Sequence, residues 1–201
     1  MTESLNFSGS TKNKVIIGVD PGANGAIAWA DLSGVHCENI PETRGDAIAL
    51  VKRICANSDA TAYHEKISGW IPDGGASMMF QFGRNVERIG CILEVLGVRI
   101  IEIRPQGWQS GLHLPQVKRQ KVPRAPKGLS KEQKAMFAIA NKEQIAAAKA
   151  VNARAKSDHK NNLKAEAQRR FPGLNITLKN CDALLIMDYG IREEMIKQNG
   201  F

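Results

Sequence analysis

Three carboxylates that lie far apart in the chain fall at places where a fold puts side chains to work. Asp20 ends the apolar run Val15-Ile16-Ile17-Gly18-Val19, just before Pro21-Gly22. Glu65 ends the run Thr61-Ala62-Tyr63-His64, and Asp182 sits in the first turn of a predicted last helix. Carboxylates from distant segments, gathered at one sheet edge, form the oxygen donor set that a hard divalent ion such as Mg²⁺ takes, with water and phosphate oxygens filling the rest of its shell. Two such ions activate a water and stabilise the leaving oxygen in phosphodiester cleavage. The same residues also have plainer readings: an Asx-type turn at Asp20, a surface position at Glu65 and a helix cap at Asp182. His64 adjoins Glu65 but points to the opposite side of a strand, which makes it a packing residue.

Charge indicates what such a site would meet. The chain carries 28 Lys and Arg against 20 Asp and Glu, a net +8. Residues 1–103 hold 9 basic and 12 acidic side chains, whereas residues 104–201 hold 19 basic and 8 acidic. That asymmetry points the second half at a polyanion, and a nucleic acid is the first candidate. The density peaks over residues 113–156, with 11 Lys or Arg and 2 Glu. Within it, Lys118, Arg119, Lys121 and Arg124 lie among Pro115, Pro123 and Pro126, read either as a DNA contact or as a solvated loop.

The elements that must position the carboxylates follow from the apolar pattern. Residues 15–19 and 25–29 read as two strands joined by a tight turn, and 35–39 as a third. Residues 44–57 have helical periodicity, 61–65 read as a strand, 77–96 as a long helix stopped by Gly97, and 98–103 as a strand. Three strands, helix, strand, helix, strand make an α/β domain with a mixed sheet covered by helices. The prolines of 113–128 exclude a regular helix or central strand there. Ser130 with Gln133 fits a capping box opening an Ala-rich helix to about Lys156. Ser157 is then expected to cap another helix over 158–171, and the last helix runs from about Asn180 to Lys197.

At 201 residues and 22.0 kDa, the chain suits one domain with a full core. Residues 1–13 read as a flexible polar leader and 14–201 as one domain containing the insertion at 113–156. No apolar run approaches the ~18 residues of a membrane span, and no signal core opens the chain. Cys37, Cys55, Cys91 and Cys181 lack metal-ligand spacing and read as reduced thiols of a cytoplasmic protein.

In order along the chain, Gly18-Val19-Asp20-Pro21-Gly22-Ala23-Asn24-Gly25-Ala26, Tyr63-His64-Glu65-Lys66, Ser77 to Arg84, Arg104-Pro105-Gln106-Gly107-Trp108, His159 to Arg169 and Cys181 to Ile186 resemble the RuvC-like Holliday junction resolvases, in particular the phage-type crossover junction endodeoxyribonucleases. The resemblance covers residues 14–112 and 157–195. It implies an RNase H-like fold with a five-stranded mixed sheet. It also implies a homodimer in a bacterial or phage-infected cell that makes paired, metal-dependent nicks in four-way or branched DNA junctions. It assigns Asp20, Glu65 and Asp182 as catalytic metal ligands for two Mg²⁺ ions, with Mn²⁺ as a substitute. Trp70 would stack on a base at the opened crossover, its plainer reading being a loop Trp tucked onto its own domain, and Lys160 and Lys164 would contact DNA. Two departures stand out. Lys179 occupies the place of a fourth ligand, where it would repel a metal and suit a phosphate instead. The basic insertion is absent from the compact members. The first departure leaves a second reading open: a non-catalytic junction-binding protein whose metal site has decayed. The hairpin also resembles the phosphate-binding loop of actin-type ATPases, a fold that needs two such domains.

Overall fold

The computed structural model describes residues 13–22, 25–67 and 75–200. They form two compact units, one made of the chain up to His113 together with Ala167 onward, the other of Leu114–Glu166.

The first unit is built on a five-stranded sheet. Its strands are β1 (Asn13–Asp20), β2 (Ala26–Asp31), β3 (Gly34–Asn39), β4 (Ser58–Glu65) and β5 (Arg99–Ile103), in the order β3-β2-β1-β4-β5. β1, β2 and β3 pair antiparallel as a meander, while β4 and β5 pair parallel to β1. The parallel pairings need long crossovers. These are supplied by α1 (Arg44–Ile54) between β3 and β4 and α2 (Ala76–Val95) between β4 and β5. α1 starts where Thr43 Oγ1 accepts the Asp46 N–H at 3.1 Å, and the expected extent to residue 57 shortens by one turn.

β1 is the central strand and is buried on both faces, which is why it reads as an unbroken apolar run. Val15, Ile17 and Val19 point to one face, where Leu50, Val51 and Ile54 of α1 and Ile89, Ile92 and Leu93 of α2 complete the core. Ile16, Gly18 and Asp20 point to the other face. That face is covered by α6 (Cys181–Gln198), whose residues Cys181 and Ala183 to Met187 are all buried.

Gly18 fixes how α6 lies. A Cβ there would stand 2.3 Å from both the Ala183 carbonyl oxygen and the Met187 nitrogen. At the other end of the crossing, a Cβ on Gly190 would stand 2.5 Å from Tyr63 Cδ2 and 3.0 Å from Ile16. Two side-chain-free contacts thus let helix and sheet approach closely. They also set the direction: α6 runs from the C-terminal end of β1 back toward its start. Tyr63 OH donates to Glu194 Oε1 at 2.8 Å and holds the far end.

Between β5 and the second unit lie two short elements that the sequence pattern does not announce, α3 (Pro105–Gln109) and a 3₁₀ turn at Ser110–Leu112. α3 has Pro105 in its first turn, where a missing N–H costs nothing.

The second unit opens with 16 residues that form no helix or strand before the expected capping box: Ser130 Oγ accepts from Gln133 N at 3.2 Å and Gln133 Oε1 accepts from Ser130 N at 2.9 Å. The Ala-rich helix differs from expectation in two ways. It breaks at Asn141, whose Nδ2 donates to Phe137 O at 2.9 Å, giving α4 (Lys131–Ala140) and α5 (Lys142–Arg170). It does not break at Ser157: α5 continues through it. A lone cap-type residue competes weakly with an uninterrupted backbone ladder when its neighbours are good helix formers. Asn152 of α5 bonds Gln120 twice, at 2.9 and 2.8 Å, tying the proline-containing segment down within the unit.

Candidate metal and nucleic-acid site

The register of the parallel pair β1–β4 runs from Asn13 opposite Ser58 to Val19 opposite His64. One rung further, Asp20 stands beside Glu65. Side chains on the same rung of neighbouring strands share a face, so both carboxylates lie on the α6 side, and both are half-buried. The Gly18 contact brings Ala183 to this face one pleat, about 7 Å, short of Asp20. Asp182, in the first turn of α6, is therefore delivered to the same edge, where the helix N-terminus favours negative charge.

Each carboxylate is held locally. Asp20 Oδ1 accepts the Gly22 N–H at 3.2 Å, which is the Asx-type turn among the plainer readings of this residue. Asp182 Oδ1 accepts from the Cys181 thiol at 3.3 Å. Glu65 Oε1 accepts the indole N–H of Trp108 at 3.0 Å. Trp108 is fully buried and enters from α3, so the sequence pattern gives no hint of this partner.

The donor chemistry suits Mg²⁺, which binds through one or two protein carboxylates and leaves water and phosphate oxygens to finish its octahedron. The Asp20–Glu65 pair meets that requirement. Among the described residues, no group of three or more His, Cys, Asp or Glu side chains converges into a ready-made metal cage. His64 takes no part. It lies on the α1–α2 side, and burial holds its pKa below the ordinary value against the opposing pull of Glu102, of the Glu65 backbone and of Glu87. Asp188 is engaged elsewhere, paired with Arg170 and with Arg192 Nε at 3.2 Å.

Lys179 lies on the turn leading into α6. The Cys181 N–H bonds Thr177 O at 3.2 Å, so this turn is already helical and places Lys179 one turn before Asp182. Asn180 braces it, accepting from Thr177 N at 2.7 Å and donating to Asn175 O at 3.0 Å. The Lys179 side chain is exposed and makes no hydrogen bond or ion pair among the described residues. The remaining expected DNA contacts belong to the second unit. Lys118, Arg119, Lys121 and Arg124 are exposed on its irregular segment, and Lys160 and Lys164 are half-buried on α5. Trp70 lies outside the described residues.

No protein-family model matches the chain, and no curated protein matches it. Solved structures do. The structure of RuvC from Thermus thermophilus matches with a TM-score of 0.51 and 11% sequence identity, over 91% of this chain and 96% of that one. T. thermophilus RuvC in complex with a Holliday junction substrate matches with a TM-score of 0.45 and 10% identity over the same shares. At this identity the likeness is one of fold. The chain has a RuvC-like, RNase H-like α/β fold, as its strand order and flanking helices also indicate. No helix among the described residues is long and apolar enough to cross a membrane.

Proposed function

We propose that this protein is a metal-dependent endonuclease that resolves four-way or branched DNA junctions by paired nicks as a homodimer. The observation that carries the reading is the Asp20–Glu65 rung on a RuvC-like sheet, which α6, opening with Asp182, crosses at Gly18. The concentration of positive charge in residues 104–201 supports a polyanionic substrate.

In this reading Asp20, Glu65 and Asp182 would hold two Mg²⁺ ions, with Mn²⁺ able to replace them. The bound metal supplies an activated water and charge neutralisation at the cleaved phosphate. The chain itself does the rest. Trp108 fixes the Glu65 carboxylate, Gly22 fixes that of Asp20, and Lys179 offers an ammonium to a phosphate oxygen beside the carboxylates. Lys118, Arg119, Lys121, Arg124, Lys160 and Lys164 bind backbone phosphates, and Trp70 stacks on an unpaired base, a contact worth about 1–3 kcal/mol. Paired nicks need two sites related by two-fold symmetry. The first half of α2 offers a surface for the dimer: Met78 and Phe80 are 58% and 71% exposed, and the helix buries no residue before Ile89. Reduced cysteines agree with a cytoplasmic setting in a bacterial or phage-infected cell.

Labelled mobile junctions incubated with Mg²⁺ or with EDTA, with products mapped, test the reading. Symmetric nicks in Mg²⁺ alone are expected. Tight junction binding without nicks in either Mg²⁺ or Mn²⁺ would establish the alternative, a non-catalytic junction-binding protein, which Lys179 beside the carboxylates favours. Sedimentation at the same concentrations reads the dimer.

A further inference from the structure

Beside Glu65 the first unit opens a cleft of about 420 Å³, lined among the described residues by Glu65, Lys66, Ile67, Arg104, Pro105 and Gln106. We propose that this cleft is a nucleotide subsite. It takes one nucleotide of the strand next to the phosphate at the carboxylates, with Arg104 on that nucleotide's phosphate and Gln106 on its base edge. The proposal rests on the endonuclease reading for its substrate and adds the residues that would set sequence preference.

Size comes first. The volume falls within the range of small-ligand pockets, roughly 300–1,000 Å³, which accommodates one nucleotide but not a duplex. Charge comes next. Of the two cations lining the cleft, Lys66 is paired with Glu102. Arg104 is exposed and makes no hydrogen bond or ion pair among the described residues. A guanidinium so placed presents a planar fork of donors that matches two phosphate oxygens at once. With Glu65 as the acidic member of the lining, an anionic ligand is drawn toward Arg104 and away from the carboxylate. That orders the ligand within the cleft.

The walls are already fixed. Lys66 N donates to Ile103 O at 2.7 Å, tying the segment after β4 to the end of β5. Gly107 N donates to Arg104 O at 2.9 Å, and Trp108 anchors the same short helix to Glu65. A preformed cleft loses less freedom when it is filled. Ile67 and Pro105 supply half-buried apolar surface for a sugar or base face. Gln106 is exposed and carries both a donor and an acceptor, which is what distinguishing one base edge from another requires.

The test uses the full chain and a fluorescent single-stranded tetranucleotide, measured by anisotropy in EDTA so that no cleavage intervenes. Arg104→Gln is expected to weaken binding about tenfold or more, the scale of one charge-assisted phosphate contact. Gln106→Leu is expected to flatten cleavage preference across junctions that differ only in the crossover base. Unchanged tetranucleotide affinity in Arg104→Gln overturns the subsite, as does tighter binding of a free mononucleotide than of the tetranucleotide. If the wild-type chain never nicks junctions but Arg104→Gln still weakens tetranucleotide binding, the endonuclease reading fails and the subsite stands.

Discussion

Trp108 donates its indole N–H to Glu65 Oε1 at 3.0 Å across 43 residues of sequence, and it does so from complete burial. The bond helps to orient the half-buried carboxylate at the end of β4. In the proposed reading Glu65 holds a metal, and removal of an outer partner of a metal ligand typically costs about 10–100-fold in metal affinity or activity. Trp108→Phe keeps most of the ring volume and removes the donor. It is expected to raise the Mg²⁺ concentration needed for half-maximal nicking by about tenfold, within that range. A drop in thermal stability with no change in the Mg²⁺ requirement would assign Trp108 a packing role alone.

The rung formed by Asp20 and Glu65 leads to the most direct test. Asp20→Asn and Glu65→Gln each keep the side-chain shape and remove the negative charge a divalent ion needs. Both variants should lose nicking while binding junctions as tightly as the wild type, because phosphate contacts elsewhere position the DNA. Gel-shift affinity and cleavage measured on one junction separate the two effects, and wild-type-like cleavage by Asp20→Asn would remove it from the site.

Much of this arrangement is legible in the sequence. Val15 to Val19 announces a strand, and the breaks at Pro21-Gly22 and after Glu65 mark the strand ends where Asp20 and Glu65 sit. Burial and periodicity are local signals, so the sheet and its helices follow from them. Trp108 is not legible in the same way. Its helix has five residues and includes Pro105 and Gly107, too short for periodicity to register, and its partner is remote in sequence. Ser157 misleads for a related reason: a cap signal is local, while helix continuation depends on the ladder running through it.

Gly18 is where sheet and helix touch without a side chain between them. Alanine there would put a methyl group 2.3 Å from backbone atoms of Ala183 and Met187, which cannot rotate away. The helix must shift, and with it Asp182. Overpacking of a close contact costs about 1–3 kcal/mol and sometimes more. Gly18→Ala should lie at or above the upper end of that range in urea denaturation, and should lose nicking even where it remains folded. A variant with wild-type stability would mean that α6 sits farther from β1.

The thiols give an independent check on the packing. Burial pushes Cys37 up to about 12, with Glu38 adding to the effect, and burial pushes Cys55 up to about 11. The reactive thiolate forms only as pH rises toward these values. Cys91 is exposed on α2. Iodoacetamide at pH 8 should therefore modify Cys91 first, with Cys37 and Cys55 following only at higher pH or on unfolding. Peptide mapping reads the order, and early modification of Cys37 would contradict its placement on β3.

The second unit carries the charge argument. Residues 113–156 hold 11 Lys or Arg and 2 Glu, more positive charge than the chain nets as a whole. Lys118, Arg119, Lys121 and Arg124 are all exposed, and the segment that carries them is tied to α5 by the Gln120–Asn152 pair. A run of exposed cations held in place suits a phosphate backbone, where each neutralised phosphate releases a counterion. Because α5 continues past residue 156, cutting the chain there would sever a helix, so charge neutralisation is the cleaner experiment. Replacing all four with Gln should weaken junction binding. It should also reduce the slope of log K against log salt by up to about 0.9 for each duplex phosphate that is no longer neutralised. Circular dichroism should stay unchanged, because the four side chains lie outside any helix or strand. An unaltered slope would mean that these cations are solvated in the complex, and that the basic balance of this half acts through Lys160, Lys164 and Lys179 instead.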